Sequence, residues 1–397
     1  MVKQLAAIVM AVFGLGYLGL HEWDSALAQA PAAAVDKAST FVAPAWTNIP
    51  VTPNQPERFT HWPVEALTKV HQEITARAAK GQPLNARNLL PLPMTRTHGY
   101  TVGHRTGKEP PSADQHEGVT DVYFIIGGSA TMVAGGELVA KQKLTEGEYH
   151  GTSVQGGETF KVKAGDVLQV PPGMPHAAQA DPGGLSYLLM KINIAHYPWP
   201  IVAGGFGVGN VGVPPAPNQP EKAIYWSVDD FRKQHQASAA RAASRQTGPS
   251  GTNLFPRMTY RTHGWVSVYR STSIMARPLA AELHTGVTDV YIVMGGSATM
   301  ILNGTLDNQH VFCEPRANLP SGESCVNLPL EYQGDCSAGC KGGQTIRVKA
   351  GDVFNLPPNS EHWIKDVEPS GPDAGFTYML FKIQAGFYPW QLTNWEF

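Results

Sequence analysis

Charge is sparse in this chain of 397 residues: Asp, Glu, Lys and Arg make up 16% of it, against roughly 25% in an ordinary globular domain. The 30 basic and 32 acidic residues nearly balance and form no block of one sign, which excludes the positive footprint that nucleic-acid binding needs. Uninterrupted helix-forming stretches are also rare, because 41 Gly and 32 Pro punctuate the sequence, and an all-helical bundle is excluded. Beyond Leu20 no apolar run is long enough to cross a bilayer. Cysteine is confined to Cys313, Cys325, Cys336 and Cys340, all in one short stretch of the C-terminal half.

Lys3 precedes an apolar run from Leu5 to Leu20 that gives way to small residues, the pattern of a secretory signal. Ala26-Leu27-Ala28 and Ala28-Gln29-Ala30 both offer a small-x-small cleavage site, and a cut after Ala28 keeps Pro31 clear of the scissile bond. Residues 1–30 are therefore expected to be a signal peptide and the mature chain to be secreted or periplasmic, with no stable membrane span after cleavage. An uncleaved anchor is the competing reading, for which the run is short against the ~20 residues of a span. In an oxidising compartment the four cysteines are expected to pair, and three connectivities are open. A zinc ribbon would need two close pairs, and only Cys336 and Cys340 are close.

The chain repeats itself. Gly118 to Met132 reads GVTDVYFIIGGSATM and Gly286 to Met300 reads GVTDVYIVMGGSATM, identical at 12 of 15 positions. The correspondence continues in order through PNQP at Pro53 and Pro217, Thr-His-Gly around His98 and His263, VKAGDV at Val162 and Val348, and Tyr-Pro-Trp at Tyr197 and Tyr388. The offset grows from 164 to 191 along the chain, and most of the added length falls around the cysteines. Two domains follow, residues 48–200 and 218–397, joined by a Gly- and Pro-rich linker at 201–217, the second carrying an insertion at 303–343 that disulfides would staple. In each copy a short helix comes first: Pro63 and then Val64, Leu67, Val70, Ile74 and Ala78 at helical spacing, and Ser227 as N-cap before Val228 and Phe231. Short β-rich runs then alternate with Gly and Pro, at Asp121 to Ile126, Ser129 to Val133, Thr159 to Val162, Val167 to Val170 and Leu185 to Ile192, which indicates a sandwich or barrel.

One polar constellation recurs inside these apolar runs. Asp114 and His116 are two apart on an extended segment and face the same way, Asp121 opens the next strand, and His176 follows the turn Gly165-Asp166-x4-Pro171-Pro172-Gly173. Copy two supplies Glu282, His284, Asp289 and His362, with Gly351, Pro357 and Asn359 in the turn. Imidazole with carboxylate is a ligand set for a divalent metal.

These runs resemble the two motifs of the cupin superfamily, HxH with a spaced Glu and Gly, then G-x5-P-x-G-x2-H, each present twice and in order. The resemblance implies an all-β bicupin of two tandem jelly-roll barrels, each preceded by a short helix. It carries the family's metal positions onto Asp114, His116, Asp121 and His176, and onto Glu282, His284, Asp289 and His362. The leading His of the first motif is Asp114 or Glu282 here and its Glu is Asp121 or Asp289, a harder set that suits Fe, Mn or Zn better than Cu(I). Asn359 replaces a Gly of the second motif, which Asn tolerates because it accepts positive φ.

Other residues repeat with less specific meaning. Arg96 and His98 match Arg261 and His263, on a strand where His98, Tyr100 and Val102 share a face that is expected to line the barrel. Tyr123 and Tyr291 lie two residues beyond the ligand Asp, on the inward face, as proton donors or as packing. Lys191 and Lys382 occupy matching final strands and are expected to face solvent rather than an anionic substrate, and His71 and His235 sit on the helices as surface or packing groups. The resemblance permits dioxygenases, decarboxylases, isomerases and binding proteins. The expectation is a metal-dependent oxidoreductase, dioxygenase-like, acting on a small oxygen-rich molecule. A non-catalytic bicupin that binds carbohydrate or another small ligand, and a decarboxylase or isomerase, are the alternatives, and a homo-oligomer is an open possibility.

Overall fold

In the computed structural model, which describes residues 56–83, 89–95, 97–145, 147–193, 220–244, 255, 258–259, 263–271, 281–284, 287–311, 331–335, 341–371 and 373–384, each copy opens with a three-residue strand and a helix. Residues 1–30, expected to be a signal peptide, the 201–217 linker, Arg96, Arg261 and all four cysteines lie outside the described residues. Helix α1 spans Val64–Ala79 and buries Leu67, Val70 and Ile74. Helix α2 spans Val228–Ala243 and buries Phe231, Gln234 and His235, and its N-cap Ser227 accepts from the Asp230 N–H at 3.0 Å. Among the described residues no helix is long and apolar enough to cross a membrane.

Each helix lies against the outside of its own barrel. His71 of α1 meets Ser186 Oγ through Nδ1 at 2.8 Å, and His235 of α2 meets Thr377 Oγ1 through Nδ1 at 2.7 Å. The two runs expected on either side of Gly127-Gly128 form one strand, Val119–Ala134, and the equivalent in copy two is Val287–Leu302. The strand bends there without ending, because Gly128 (φ 74°) and Gly296 (φ 68°) supply the left-handed conformation. A Cβ on either would lie 1.9 or 2.0 Å from the carbonyl oxygen of Gly184 or Gly375.

Barrel 1 is built on Val119–Ala134, which pairs antiparallel with Glu158–Lys163, Val167–Val170 and His176–Asn193. Barrel 2 repeats the scheme on Val287–Leu302, with Gln344–Lys349, Val353–Leu356, His362–Val367 and Phe376–Gln384. Alternation along the strands separates the three largest apolar cores among the described residues. Tyr123, Ile125, Leu168 and Leu189 fill barrel 1, and Tyr291, Val293, Phe354 and Leu380 fill barrel 2. Their neighbours Val122, Phe124, Val290 and Ile292 face a third cluster between the barrels and under the helices, with Trp62, Tyr100, Trp226, Trp265 and Phe381.

The barrels exchange their first strands, so the sequence boundaries at 48–200 and 218–397 need correction. Thr60–Trp62 of copy one pairs with Val353–Leu356 of barrel 2, and Ile224–Trp226 of copy two pairs with Val167–Val170 of barrel 1. The acid of each second motif fixes the exchange. Asp352 accepts from the Val64 N–H at 2.8 Å and binds His61 at 3.1 Å, while Asp166 accepts from the Val228 N–H at 2.7 Å and from Tyr225 OH at 2.7 Å. Each carboxylate thus caps the first turn of the other copy's helix, where both N–H donors and helix dipole favour an anion. Asp166→Ala and Asp352→Ala are each expected to lower unfolding free energy by about 1–2 kcal/mol in urea titrations.

Candidate metal centre

His98 and His263 require a correction. His98 shares a face with Tyr100 as expected, and His263 shares the matching one with Trp265, but that face points between the barrels and not into them. His98 is opposite Ile192, an inter-barrel residue, and both histidines are 0% exposed. Gln169 Nε2 of barrel 1 donates to His263 Nε2 at 3.0 Å, and Asn355, its equivalent in barrel 2, faces His98 outside hydrogen-bond geometry. Burial pushes both imidazoles down to about 3, so they are neutral elements of the inter-barrel core.

Inside barrel 1, three donors converge. His116 comes from Ala113–His116, Asp121 from the strand Val119–Ala134, and His176 from the first residue of His176–Asn193. The Nε2 atoms of His116 and His176 each lie 3.5 Å from Asp121 Oδ2, and the three ligand atoms fall within 4.8 Å of one another. Donors bound tetrahedrally at about 2.1 Å from one ion are ~3.4 Å apart, so the spacing fits a metal. Tautomers fit as well. His176 Nδ1 bonds to Met174 O at 3.0 Å, leaving Nε2 buried without a hydrogen-bond partner, and His116 Nδ1 is held by Glu148. Both rings therefore aim an Nε2 lone pair inward.

Asp114, the fourth expected ligand, is directed elsewhere. It faces His150 Nε2 at 3.1 Å and Arg105 at 3.8 Å, and it does not join the converging group. In barrel 2 the leading carboxylate does join: Glu282 Oε1 is 3.2 Å from His362 Nε2, and Glu282, His284 and His362 form the cluster. Asp289 Oδ2 is 3.5 Å from His284 Nε2 and 3.7 Å from His362 Nε2. The extra methylene of Glu282 relative to Asp114 accounts for its reach.

Lys191 and Lys382, expected to face solvent, are buried at 4% and 1% exposure. Each stands directly across the ladder from the ligand Asp, Lys191 opposite Asp121 and Lys382 opposite Asp289. Lys191 Nζ donates to Asp121 Oδ1 at 2.8 Å and Oδ2 at 3.1 Å. Lys382 Nζ donates to Asp289 Oδ1 at 3.0 Å and to His284 Nε2 at 3.0 Å. Burial, the largest effect, would raise the Asp121 carboxyl, but Lys191, His116 and His176 together hold it below its ordinary value. Burial brings His284 down to about 4, assisted by Lys382. Burial acts the same way on His362, but Glu282 and Asp289 reverse it and raise that imidazole. A lysine at the same place in two apolar strands was the available sign that both face inward.

Glu148 escaped the sequence reading because no repeated motif contains it. The register places it opposite His116, and Glu331 stands opposite His284 in the same way. Glu148→Gln keeps the shape but weakens the acceptor that orients His116. We expect metal affinity to fall about 10–100-fold in a competition titration against a chromophoric chelator.

Tyr123 and Tyr291 face the interiors as expected. Tyr123 OH donates to Asp121 Oδ2 at 3.3 Å, while Tyr291 stacks on Phe354 with ring centroids 4.4 Å apart. Arg105 and Arg270 end the matching strands His98–Arg105 and His263–Arg270. Arg105 pairs with Leu185 of the barrel 1 core, which turns its side chain inward beside Asp114.

The chain thus forms two β-barrels in tandem, the architecture that the resemblance to cupins implies, and each barrel brings two histidines and a carboxylate together in its interior. The AraC-like ligand binding domain family matches residues 150–199, which include the second motif and final strand of barrel 1. No curated protein matches the chain. Among solved structures, the salicylate 1,2-dioxygenase of Pseudaminobacter salicylatoxidans is similar at 12% identity and TM-score 0.44, over 86% of this chain and 89% of that one. An oxalate decarboxylase variant from Bacillus subtilis is similar at 14% identity and TM-score 0.29, over 75% of this chain and 71% of that one.

Proposed function

We propose that the chain is an exported, metal-dependent oxidoreductase, dioxygenase-like, whose substrate is a small oxygen-rich molecule bearing a carboxylate. The carrying observation is the trio His116, Asp121 and His176: two imidazoles and one carboxylate on a single inward face, spaced for a divalent ion, with Asp114 drawn aside. This is the donor set of non-haem iron, and Fe(II) held by it would supply one-electron chemistry with dioxygen at positions the protein leaves open. Arg105 would orient the substrate carboxylate by a charge-assisted hydrogen bond. Burial and the Asp121 charge raise the Tyr123 hydroxyl well above its ordinary value, so Tyr123 keeps its proton and serves as a donor, not as a base. Glu148 holds the His116 tautomer, and Lys191 balances the charge of Asp121.

Oxygen consumption by the iron-reconstituted mature protein, measured over a panel of phenolic and carboxylic acids, tests this reading. Uptake that depends on one acid and disappears in His176→Ala supports it. The match of residues 150–199 to a ligand-binding domain favours a second reading, a bicupin that binds a small molecule without turning it over. Saturable binding of a panel member with no oxygen uptake or product would select that reading.

A further inference from the structure

We propose that barrel 1 holds the one tightly bound divalent metal of the chain, and that in barrel 2 the ammonium of Lys382 takes the metal's place. The proposal rests on the metal-dependent reading above and assigns the two sites different roles. The repeat places equivalent histidines at equivalent backbone positions, but their inward nitrogens are in different states. In barrel 1, His176 Nε2 is buried and accepts nothing from the protein. In barrel 2, its counterpart His362 Nε2 lies 3.2 Å from Glu282 Oε1, and His284 Nε2 accepts from Lys382 Nζ at 3.0 Å.

A nitrogen lone pair that accepts from an ammonium is not available to a metal. An ion placed on His284 would also stand beside that positive charge, among residues that keep out screening solvent. Lys382 therefore acts as a resident cation between His284 and Asp289. Lys191 grips both oxygens of Asp121, so barrel 1 also carries a lysine; the difference lies in the imidazole nitrogens. Barrel 2 keeps one oxygen, Asp289 Oδ2, that is buried without a hydrogen bond, and so retains some pull on a cation. The proposed difference is one of affinity, set by the engaged nitrogens and by the longer Glu282 in place of Asp114.

Metal stoichiometry tests the proposal without an activity assay. The purified full-length mature chain is stripped with chelator, reconstituted separately with Fe(II) under anaerobic conditions, Mn(II) and Zn(II), desalted, and analysed for metal. The expected content is about one equivalent in the wild type and in His362→Ala, and less than about a tenth in His176→Ala. Lys382→Met is expected to raise retention toward about two equivalents. Two equivalents in the wild type, or loss in His362→Ala with retention in His176→Ala, would overturn the assignment while leaving a metal-dependent function standing. A folded Lys382→Met that stays at one equivalent would overturn the role given to Lys382. No metal at all in the wild type would overturn both the assignment and the proposed function. If Lys382→Met does not fold, the two histidine variants decide the matter.

Discussion

Residues 48–200 expressed alone are expected to be unfolded or aggregated, and so are residues 218–397, although each contains a full copy of the repeat. The exchange of first strands is the reason. Without copy two, barrel 1 loses Ile224–Trp226 from the edge of Val167–Val170, and helix α1 loses the carboxylate of Asp352 from its first turn. The inter-barrel core would be halved, exposing Trp62, Tyr100, Val122 and Phe124, which the intact chain covers with Trp226, Trp265, Val290 and Phe381. Burying one large apolar side chain contributes about 1.5–3 kcal/mol. Loss of several such contacts is comparable to the ~5–15 kcal/mol that holds a typical domain folded. Co-expression of the two fragments is expected to restore a soluble 1:1 complex. Circular dichroism melts and size-exclusion chromatography check this, and a cooperative melt from either fragment as a monomer would contradict it.

A steep loss of stability is expected as pH falls from 6.5 toward 3, led by His98 and His263. Both imidazoles titrate at about 3 in the folded chain, against an ordinary 6.5. The sign follows from proton counting. In that window the unfolded chain binds a proton at each site and the folded chain does not, so stability is full above pH 6.5 and declines as pH falls. Each histidine removes about 1.4 kcal/mol per pH unit, so the pair could consume most of a typical stability before pH 3. Site groups contribute as well, since His176 is also lowered by burial and His284 titrates at about 4. The informative quantity is the difference between wild type and the His98→Gln, His263→Gln double variant in melting temperature from pH 7 to 4. A clearly shallower slope in the variant is expected, and equal slopes would contradict the assignment.

Period-2 apolar patterning and the repeat made the barrels legible in the sequence, and the Pro-Pro-Gly turn before His176 made its convergence with His116 and Asp121 legible. The exchange was hidden because Thr60–Trp62 and Ile224–Trp226 are three residues long and carry no record of which edge they join. Asp166 and Asp352 were visible as motif residues, yet their helix partners lie in the other copy. The face shared by His98, Tyr100 and Val102 followed from alternation, but alternation alone does not say which face is the inside. That was settled by the strand opposite, where Leu189 enters barrel 1 while Met190 and Ile192 face the other barrel. The inward turn of Lys191 and Lys382 ran against the solvent preference of lysine, which a carboxylate directly across the ladder overrides.

The anomalous difference map of a crystal of the metal-reconstituted protein, collected at the absorption edge of the metal, shows whether His116, Asp121 and His176 hold the ion. A strong peak is expected in barrel 1 at about 2.0–2.2 Å from His116 Nε2, His176 Nε2 and an Asp121 oxygen. A map without a peak at that position, from crystals whose bulk analysis shows bound metal, would contradict it.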